Sequence, residues 1–349
     1  MINKKFQLFQ CCIPVKGIKR GSVIDLQRRL VFTLPNQIID YVSEYSGKSI
    51  YNLFYDFKAN KTILKKYIRF FYDSELFILS ENLDGFSPLE TVYKRPLLVD
   101  IISMEIEDIK IYNQSFFQNE LDYLGIRSLK LIFKKNALDN IDKILKWLEN
   151  SKIQSIVLFM EYENNIEEKL NILRAEHARL MQVVFYNCSK NYGAVYSQES
   201  FYFYDILPLD KIFYKGVQKI DDFFININSY LEALHYNLNF NRTIYIDQYG
   251  NVKRHILDDK MFGNIGDKKM DAIILENESI SEFWKISKDR IAVCKDCEFR
   301  YICTDGRVPV KLASEDFFYT HLTKCSYDPY KNIWNEYENL KEPDIQLIT

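Results

Sequence analysis

The sequence predicts an α/β protein whose middle part is a decayed, partial (β/α) barrel. Three observations support this prediction. Strand-like apolar runs alternate with helical patterns in the middle of the chain, a small module of strands followed by helices precedes them, and a loop-rich region with clustered cysteines follows. Strands that alternate with helices of about ten to fifteen residues indicate a parallel sheet.

The composition is that of a folded protein with a sizeable core. Of 349 residues, 47% are hydrophobic and 27% are charged, and the formal net charge is −2. These values exclude an intrinsically disordered chain. They also provide no electrostatic field that would gather nucleic acid or an anionic membrane, so we expect neither as a partner.

We expect the protein to be cytoplasmic. No apolar run approaches the ~18 to 20 residues that a transmembrane helix needs. The start of the chain has the charge order of a secretory signal, but Gln7 and Gln10 interrupt its apolar stretch and no small-residue cleavage site follows. In a reducing compartment, grouped cysteines hold metal more often than they form disulfides.

Residues 1–85 are predicted to form a winged-helix-like α+β module. Strand patterns are followed by three helical patterns and a returning strand, after a turn around Gly21. Pro35 opens the first helix and Gly47 lies just beyond its end. The predicted elements are strands at 6–14, 28–33 and 75–79 and helices at 36–45, 49–57 and 61–72.

Residues 86–230 are predicted to form the partial barrel. Gly85, Pro88 and Pro96 mark the boundary that precedes it. Only four strands are predicted, which is too few for a closed eight-stranded barrel. The predicted elements are strands at 97–104, 128–133, 153–159 and 182–186 and helices at 113–124, 137–150 and 165–179.

Residues 231–349 contain four cysteines that we expect to bind metal. Cys294 and Cys297 form a two-residue knuckle, Cys303 follows after five residues, and Cys325 follows after a further 21. Four thiolates suit zinc or a cubane iron–sulfur cluster, and their softness excludes calcium and magnesium. The spacing alone does not choose between zinc and iron–sulfur. Three nearby cations could offset the thiolate charge: Lys295, Arg300 and Arg307.

The other cysteines stand apart from this group. Cys11 and Cys12 alternate across a predicted strand and are expected to pack. Cys188 follows a predicted strand, and we interpret it as a buried structural thiol, with a reactive thiol as the alternative. No Walker, dinucleotide-binding or nucleophile-elbow motif occurs, so no catalytic residue is assigned.

The run Cys294-Lys-Asp-Cys297-Glu-Phe-Arg-Tyr-Ile-Cys303, with Cys325 at 22 positions, resembles the SPASM domain of radical S-adenosylmethionine enzymes that modify ribosomal peptides. The resemblance implies that these four cysteines ligate an outer [4Fe–4S] cluster, with zinc as the alternative.

A second SPASM cluster is expected to be absent. Gly250 matches the pattern of that cluster, but His235, His255 and Arg307 stand where the family has cysteines. The two histidines could mark a weak metal site; the alternative is that they are ordinary packed or surface histidines.

The motif that generates the radical is also missing. The family carries a CxxxCxxC motif just after the first barrel strand, whereas this chain has no cysteine between Cys12 and Cys188. Residues 133–137 replace the acidic, glycine-rich S-adenosylmethionine motif. We therefore expect no bound S-adenosylmethionine and no radical chemistry.

A closer resemblance is to the SPASM protein of grasp-with-spasm peptide maturation systems. It is carried by residues 245–255, 297–303, 305–309 and 324–330. It implies a partnership with an ATP-grasp ligase and a ribosomal precursor peptide. The N-terminal module resembles a RiPP recognition element, which binds leader peptides by adding a strand to its sheet.

The sequence therefore predicts an accessory protein of peptide maturation, with no independent catalysis. The alternative is an iron–sulfur enzyme that modifies the peptide directly, by redox chemistry or by coordinating the substrate.

Overall fold

The computed structural model describes residues 4–57, 61–134, 138–163, 165–189, 201–213, 215–312 and 318–335. The chain divides into two compact units. Unit 1 comprises residues 1–94, 216–238 and 286–349, and unit 2 comprises residues 95–215 and 239–285. The N-terminal module and the four clustered cysteines thus belong to one unit, although they lie at opposite ends of the sequence. Strands and helices are numbered along the chain.

The N-terminal part of unit 1 contains an antiparallel three-stranded sheet followed by three helices. The sheet has the order β2-β3-β4, and β1 pairs separately with β5 in antiparallel fashion. The elements are β1 (Lys5–Leu8), β2 (Cys12–Lys16), β3 (Gly21–Asp25), β4 (Leu30–Leu34), α1 (Asn36–Tyr45), α2 (Ile50–Asp56), α3 (Lys61–Asp73) and β5 (Phe77–Ser80).

Two details of this module differ from the sequence prediction. The predicted strand at 6–14 is two strands, because the chain turns between β1 and β2, where the N–H of Cys12 donates to the carbonyl of Phe9 at 2.8 Å. Gly21 begins β3 instead of lying in a turn, and an added Cβ there would come within 2.6 Å of Ile39 Cγ1. The winged-helix character of the module remains a prediction.

Three helices cover this module with apolar side chains. Ile38, Ile39 and Val42 recur at helical spacing on α1 and are buried. Phe6 of β1 and Leu53 of α2 are fully buried in the same core, which Leu64 and Phe71 complete from α3. This hydrophobic packing holds the helices against the strands.

Unit 2 confirms the predicted α/β class with a mainly parallel sheet. The sheet has the order β10-β9-β8-β7-β6-β11-β12-β13. The pairs β11-β12 and β12-β13 are antiparallel, and the other pairs of this sheet are parallel. Its strands are β6 (Ile101–Ile106), β7 (Ser128–Phe133), β8 (Ser155–Glu161), β9 (Leu180–Tyr186), β10 (Tyr202–Tyr204), β11 (Thr243–Ile246), β12 (Asn251–Lys253) and β13 (Gly263–Asn264).

The four predicted barrel strands correspond to β6, β7, β8 and β9, and the sheet continues beyond them on both sides. The barrel character of the sheet remains a prediction. Of the segment 133–137, residues 135–137 lie outside the described residues. The helices of unit 2 are α4 (Leu121–Leu124), which follows a π-helical stretch at Phe116–Glu120, α5 (Leu138–Trp147), α6 (Ile166–Glu176), α7 (Leu209–Phe213), α9 (Met270–Glu276) and α10 (Glu278–Trp284).

The C-terminal part of unit 1 is loop-rich, as predicted. Its regular elements are α8 (Ile227–Ala233), β14 (Pro309–Lys311), β15 (Tyr319–His321), β16 (Tyr327–Asp328) and β17 (Ile333–Trp334), with 3-10 turns at Lys288–Arg290 and Cys294–Asp296. Elements this short contribute little stability by themselves. Among the helices that the structure describes, none is long and apolar enough to cross a membrane.

The N-terminal module packs directly against the cysteine-bearing segment within unit 1. Val15 and Ile24 share a buried apolar cluster with Phe299, Ile302 and Tyr327. Backbone bonds reinforce this contact, since the N–H of Ile18 donates to the carbonyl of Asp296 at 2.8 Å. The fold of the module therefore positions the segment that carries Cys294, Cys297 and Cys303.

Gly17 lies where the backbone of the module closely approaches the backbone of the cysteine-bearing segment. A Cβ at Gly17 would lie 2.6 Å from the carbonyl oxygen of Arg20, 2.9 Å from the nitrogen of Glu298 and 3.1 Å from the carbonyl oxygen of Asp296. Backbone atoms cannot move aside as a flexible side chain can, so Gly17→Ala should cost about 1–3 kcal/mol of unfolding free energy. Urea unfolding measures this change. Gly85→Ala is the control, because no atom lies within 4 Å of its Cβ position; an equal effect of both substitutions would contradict the prediction.

Candidate metal centre

The four predicted cysteines line one cavity in unit 1. Cys294 begins a 3-10 turn, Cys297 caps its end, and Cys303 follows in a loop. Cys325 reaches the same cavity from the segment just before β16. Each side chain is half-buried. The fold thus brings together the four residues that the spacing singles out, although one of them lies 22 positions from the nearest other.

Burial controls the protonation of these thiols. It is the largest cause of a raised pKa at all four, and the pKa of Cys294 is raised to about 11. The cysteines also raise one another's pKa, because several thiolates close together repel. A bound metal cation would favour the thiolate forms, which metal ligation requires.

Backbone N–H groups point at two of the sulfurs. The N–H of Phe299 donates to Cys297 Sγ at 3.4 Å, and a backbone hydrogen bond from Tyr327 lowers the pKa of Cys325. Such bonds favour the thiolate over the thiol and tune the potential of iron–sulfur clusters.

A buried ion cluster adjoins the cavity. Asp305 is 1% exposed, and its Oδ2 lies 3.0 Å from Lys288 Nζ and 2.8 Å from Arg307 Nη2. Although burial opposes ionisation, Arg307 and Lys288 hold the pKa of Asp305 well below its usual range. Lys288 also interacts electrostatically with Cys294 and Cys303. One carboxylate shared by two cations leaves positive charge to offset thiolates.

The three cations predicted near the cysteines differ in their contacts. Arg307 lines the cavity and interacts with Cys294 and Cys325, as expected of a compensating charge. Arg300 also lines it, but its Nε is paired with Asp289 at 2.9 Å. The Nζ of Lys295 lies over the Phe318 ring, 4.5 Å from the centroid.

Sequence reasoning missed Lys288 and Asp305. Both are buried, and their roles depend on the folding of separate loop segments against each other. The one signal in the sequence is that Asp305 lies only two residues after Cys303.

The positions of the ligand atoms bear on the choice of metal. In the described part of the chain, three groups of Cys, His, Asp or Glu place their ligand atoms within 4.8 Å of one another, and one joins Cys294, Asp305 and His321. The four cysteines do not form such a group. A zinc ion at ~2.3 Å from four sulfurs would hold them roughly 3.8 Å apart, so zinc would require some of these sulfurs to move closer together.

Asp305 fits a supporting role better than a ligand role, whereas His321 keeps one ring nitrogen unused. The oxygens of Asp305 already accept from Lys288 and Arg307. His321 Nδ1 lies 3.2 Å from the carbonyl oxygen of Val308, its Nε2 lies 3.3 Å from Asp305, and burial lowers its pKa to about 3. A neutral imidazole carries only one N–H, so when Nδ1 donates to Val308 the buried Nε2 has no hydrogen-bond partner among the described residues.

The remaining candidate residues do not line this cavity. Cys188 in unit 2 is 5% exposed, its Sγ donates to the carbonyl of Phe185 at 3.6 Å, and burial raises its pKa. His235 is exposed in unit 1, whereas His255 packs in unit 2 with its ring 5.3 Å from that of Phe283. None of the metal-ligating groups found among the described residues includes either histidine.

Comparisons with known proteins give little guidance. No protein-family model and no curated protein matches the chain. The chain is similar to BtrN in complex with AdoMet and 2-DOIA, with 11% identity, 62% of this chain and 96% of that chain covered, and a TM-score of 0.34. It is also similar to Streptococcus suis SuiB bound to S-adenosylmethionine, with 8% identity, coverages of 86% and 94%, and a TM-score of 0.30.

TM-scores this low carry no argument about fold or function. Both similar proteins were solved with S-adenosylmethionine, and neither tests our expectation that this chain binds none. That expectation remains a prediction.

Replacing any of the four clustered cysteines should remove the bound metal. In Cys297→Ser or Cys325→Ser one thiolate is lost, and a hydroxyl is a poor ligand for iron or zinc. Iron, sulfide and zinc per chain, measured after anaerobic purification, test this. Cys188→Ser is the matched control, since its thiol is buried in the other unit; loss of metal from the control alone would contradict the assignment.

His255 should make the protein less stable in mild acid. Burial lowers the pKa of His255 to about 4, whereas the unfolded chain has a histidine pKa of about 6.5. The unfolded state therefore binds the proton first, and stability is lost as the pH falls from about 6.5 towards 4. Urea unfolding at pH 7.5 and pH 5 measures the loss. His255→Phe, which suits the aromatic surroundings, should reduce the difference; an unchanged difference would contradict this role.

Proposed function

We propose that this chain is an accessory protein in the maturation of a ribosomally made peptide. In this proposal it binds the precursor peptide and works with an ATP-grasp ligase, without radical chemistry of its own. The observation that carries the proposal is the joining, within unit 1, of a small sheet-and-helix module to a segment with four cysteines around one cavity. The resemblance to grasp-with-spasm proteins supplies the identity of the partners.

The exposed edge of the N-terminal sheet is the surface we propose for the peptide. In the order β2-β3-β4, strand β4 has a neighbour on one side only among the described strands. Leu30 and Thr33 of β4 are exposed, and Phe32 packs edge-on against Phe70 of α3 with ring centroids 5.5 Å apart. An extended peptide can add to such an edge through main-chain hydrogen bonds, while neighbouring side chains supply specificity.

In this proposal the metal stabilises the fold of the cysteine-bearing segment. The segment around the four cysteines contains strands of only two or three residues and short 3-10 turns. Such a segment gains most of its stability from cross-links, and four thiolates on one metal centre provide them. The residues that would hold the centre are Cys294, Cys297, Cys303 and Cys325, and the cluster would supply redox capacity if it is iron–sulfur.

A second candidate is an iron–sulfur enzyme that acts on the peptide directly. One observation favours it: a cavity of about 370 Å³ is bordered by Cys294 and Cys325, together with Arg307 and His321. This volume is within the range of small-molecule sites. This candidate requires product to form from the precursor without the ligase.

Binding of a precursor peptide tests the first proposal. The probes are a short precursor peptide and an ATP-grasp ligase sought among the neighbouring genes, and fluorescence anisotropy with the labelled peptide is the measurement. Leu30→Asp should weaken binding at least about tenfold, or about 1.4 kcal/mol, because it places a charge beside the proposed peptide strand.

Leu275→Asp is the control, because Leu275 is a similarly exposed leucine in unit 2. Equal weakening by both substitutions would argue against the β4 edge. Failure of both peptide and ligase to bind the wild-type protein would reject the accessory role. Product formation without the ligase would favour the second candidate.

A further inference from the structure

Unit 1 contains a second group of soft ligand atoms, apart from the four-cysteine cavity. The sulfurs of Cys11 and Cys12 and a carboxylate oxygen of Asp25 lie within 4.8 Å of one another. Cys12 begins β2 and Asp25 ends β3, and the two are direct cross-strand partners. Cys11 lies in the turn that precedes β2. Strand pairing thus fixes the distance between these side chains.

The backbone around this group is well anchored. The N–H of Cys12 donates to the carbonyl of Phe9 at 2.8 Å, and the N–H of Leu26 donates to the carbonyl of Cys11 at 2.9 Å. Cys12 is 2% exposed and Asp25 is 1% exposed. The three ligand atoms are therefore held together before any ligand arrives, which lowers the entropic cost of binding one.

The group contains three side chains that can ionise to anions, and the guanidinium of Arg28 is the cation beside them. Asp25 Oδ1 accepts from the N–H groups of Gln27 and Arg28, and Asp25 Oδ2 accepts from Arg28 Nε at 2.6 Å. An ionised carboxylate has about four acceptor positions, so one remains for a further partner. Burial raises the pKa of Cys12, and the nearby Cys11 and Asp25 raise it further.

We propose that Cys11, Cys12 and Asp25 bind one borderline-soft divalent cation of the zinc class. Two sulfurs and one oxygen form a three-ligand set, which leaves the fourth tetrahedral position for water. The two thiol protons pass to solvent on binding, because cysteine ligates as thiolate. Two thiolates and a carboxylate are then balanced by the divalent ion and Arg28. Hard cations such as calcium and magnesium are disfavoured by the sulfurs.

Solvent can reach this site. A cavity of about 710 Å³ is bordered by Cys11, Asp25 and Arg28 and, beyond them, by Tyr72 and Glu75 at the end of α3. The bound ion would tie the turn between β1 and β2 to the end of β3. This proposal concerns the chain's own fold and does not depend on the peptide-maturation role.

Metal analysis of the full chain tests the proposal with zinc as the probe. Protein purified without oxygen is dialysed against Zn²⁺, and zinc, iron and sulfide are measured per chain. The wild type should retain one more zinc than Cys11→Ser/Cys12→Ser, with iron and sulfide equal in both. Cys188→Ser is the matched control, because it removes a buried cysteine elsewhere and should keep the additional zinc.

The single variant Cys11→Ser is included because Cys11 is only half-buried, so this substitution should disturb folding less than the double substitution does. Added zinc should raise the urea midpoint of the wild type and should raise that of Cys11→Ser less, as expected when a ligand binds only the folded state. Equal zinc retention by the wild type and both Cys11 variants would overturn the proposal. So would loss of the additional zinc from Cys188→Ser.

Discussion

The buried carboxylate of Asp305 is the constraint on which the candidate metal centre depends. An ion removed from water is costly unless it is paired, and Asp305 is paired with both Lys288 and Arg307. Two cations around one anion leave a surplus positive charge in a protein interior. The thiolates of the adjoining cavity are the groups that can balance it, since both cations interact with Cys294. The ion cluster and the four cysteines are therefore best understood as one electrostatic unit.

A second buried carboxylate links this centre to the N-terminal module. Glu298 follows Cys297 directly and is 1% exposed. Its Oε1 accepts from Arg20 Nε at 2.6 Å and from the Tyr327 hydroxyl at 2.5 Å. Arg20 precedes β3, whereas Tyr327 lies two residues after Cys325. One side chain thus contacts the module and both arms of the cysteine segment, so metal binding and the stability of this contact should be energetically coupled.

The sequence predicts local features well and distant pairings poorly. The alternation of strands and helices is sufficient to predict a parallel sheet, because a parallel connection requires a crossover. The addition of β11 beside β6 could not be predicted, since more than a hundred residues separate the two strands. The spacing of Cys294, Cys297 and Cys303 identifies the cavity. The burial of Lys288 beside it depends on tertiary packing, which no local pattern encodes.

The packing of unit 2 bears on the choice between a radical enzyme and an accessory protein. α7 packs on part of one face of its sheet, where Phe213 lies 4.8 Å from Phe159, measured between ring centroids. On this face Lys130 extends its Nζ over Phe213, and burial lowers its pKa. A cofactor and a peptide on this face would first have to displace α7 and expose its apolar contacts, at about 25 cal/mol for each Å² uncovered. In our proposal the peptide binds instead at the edge of β4, which has a neighbour on one side only among the described strands.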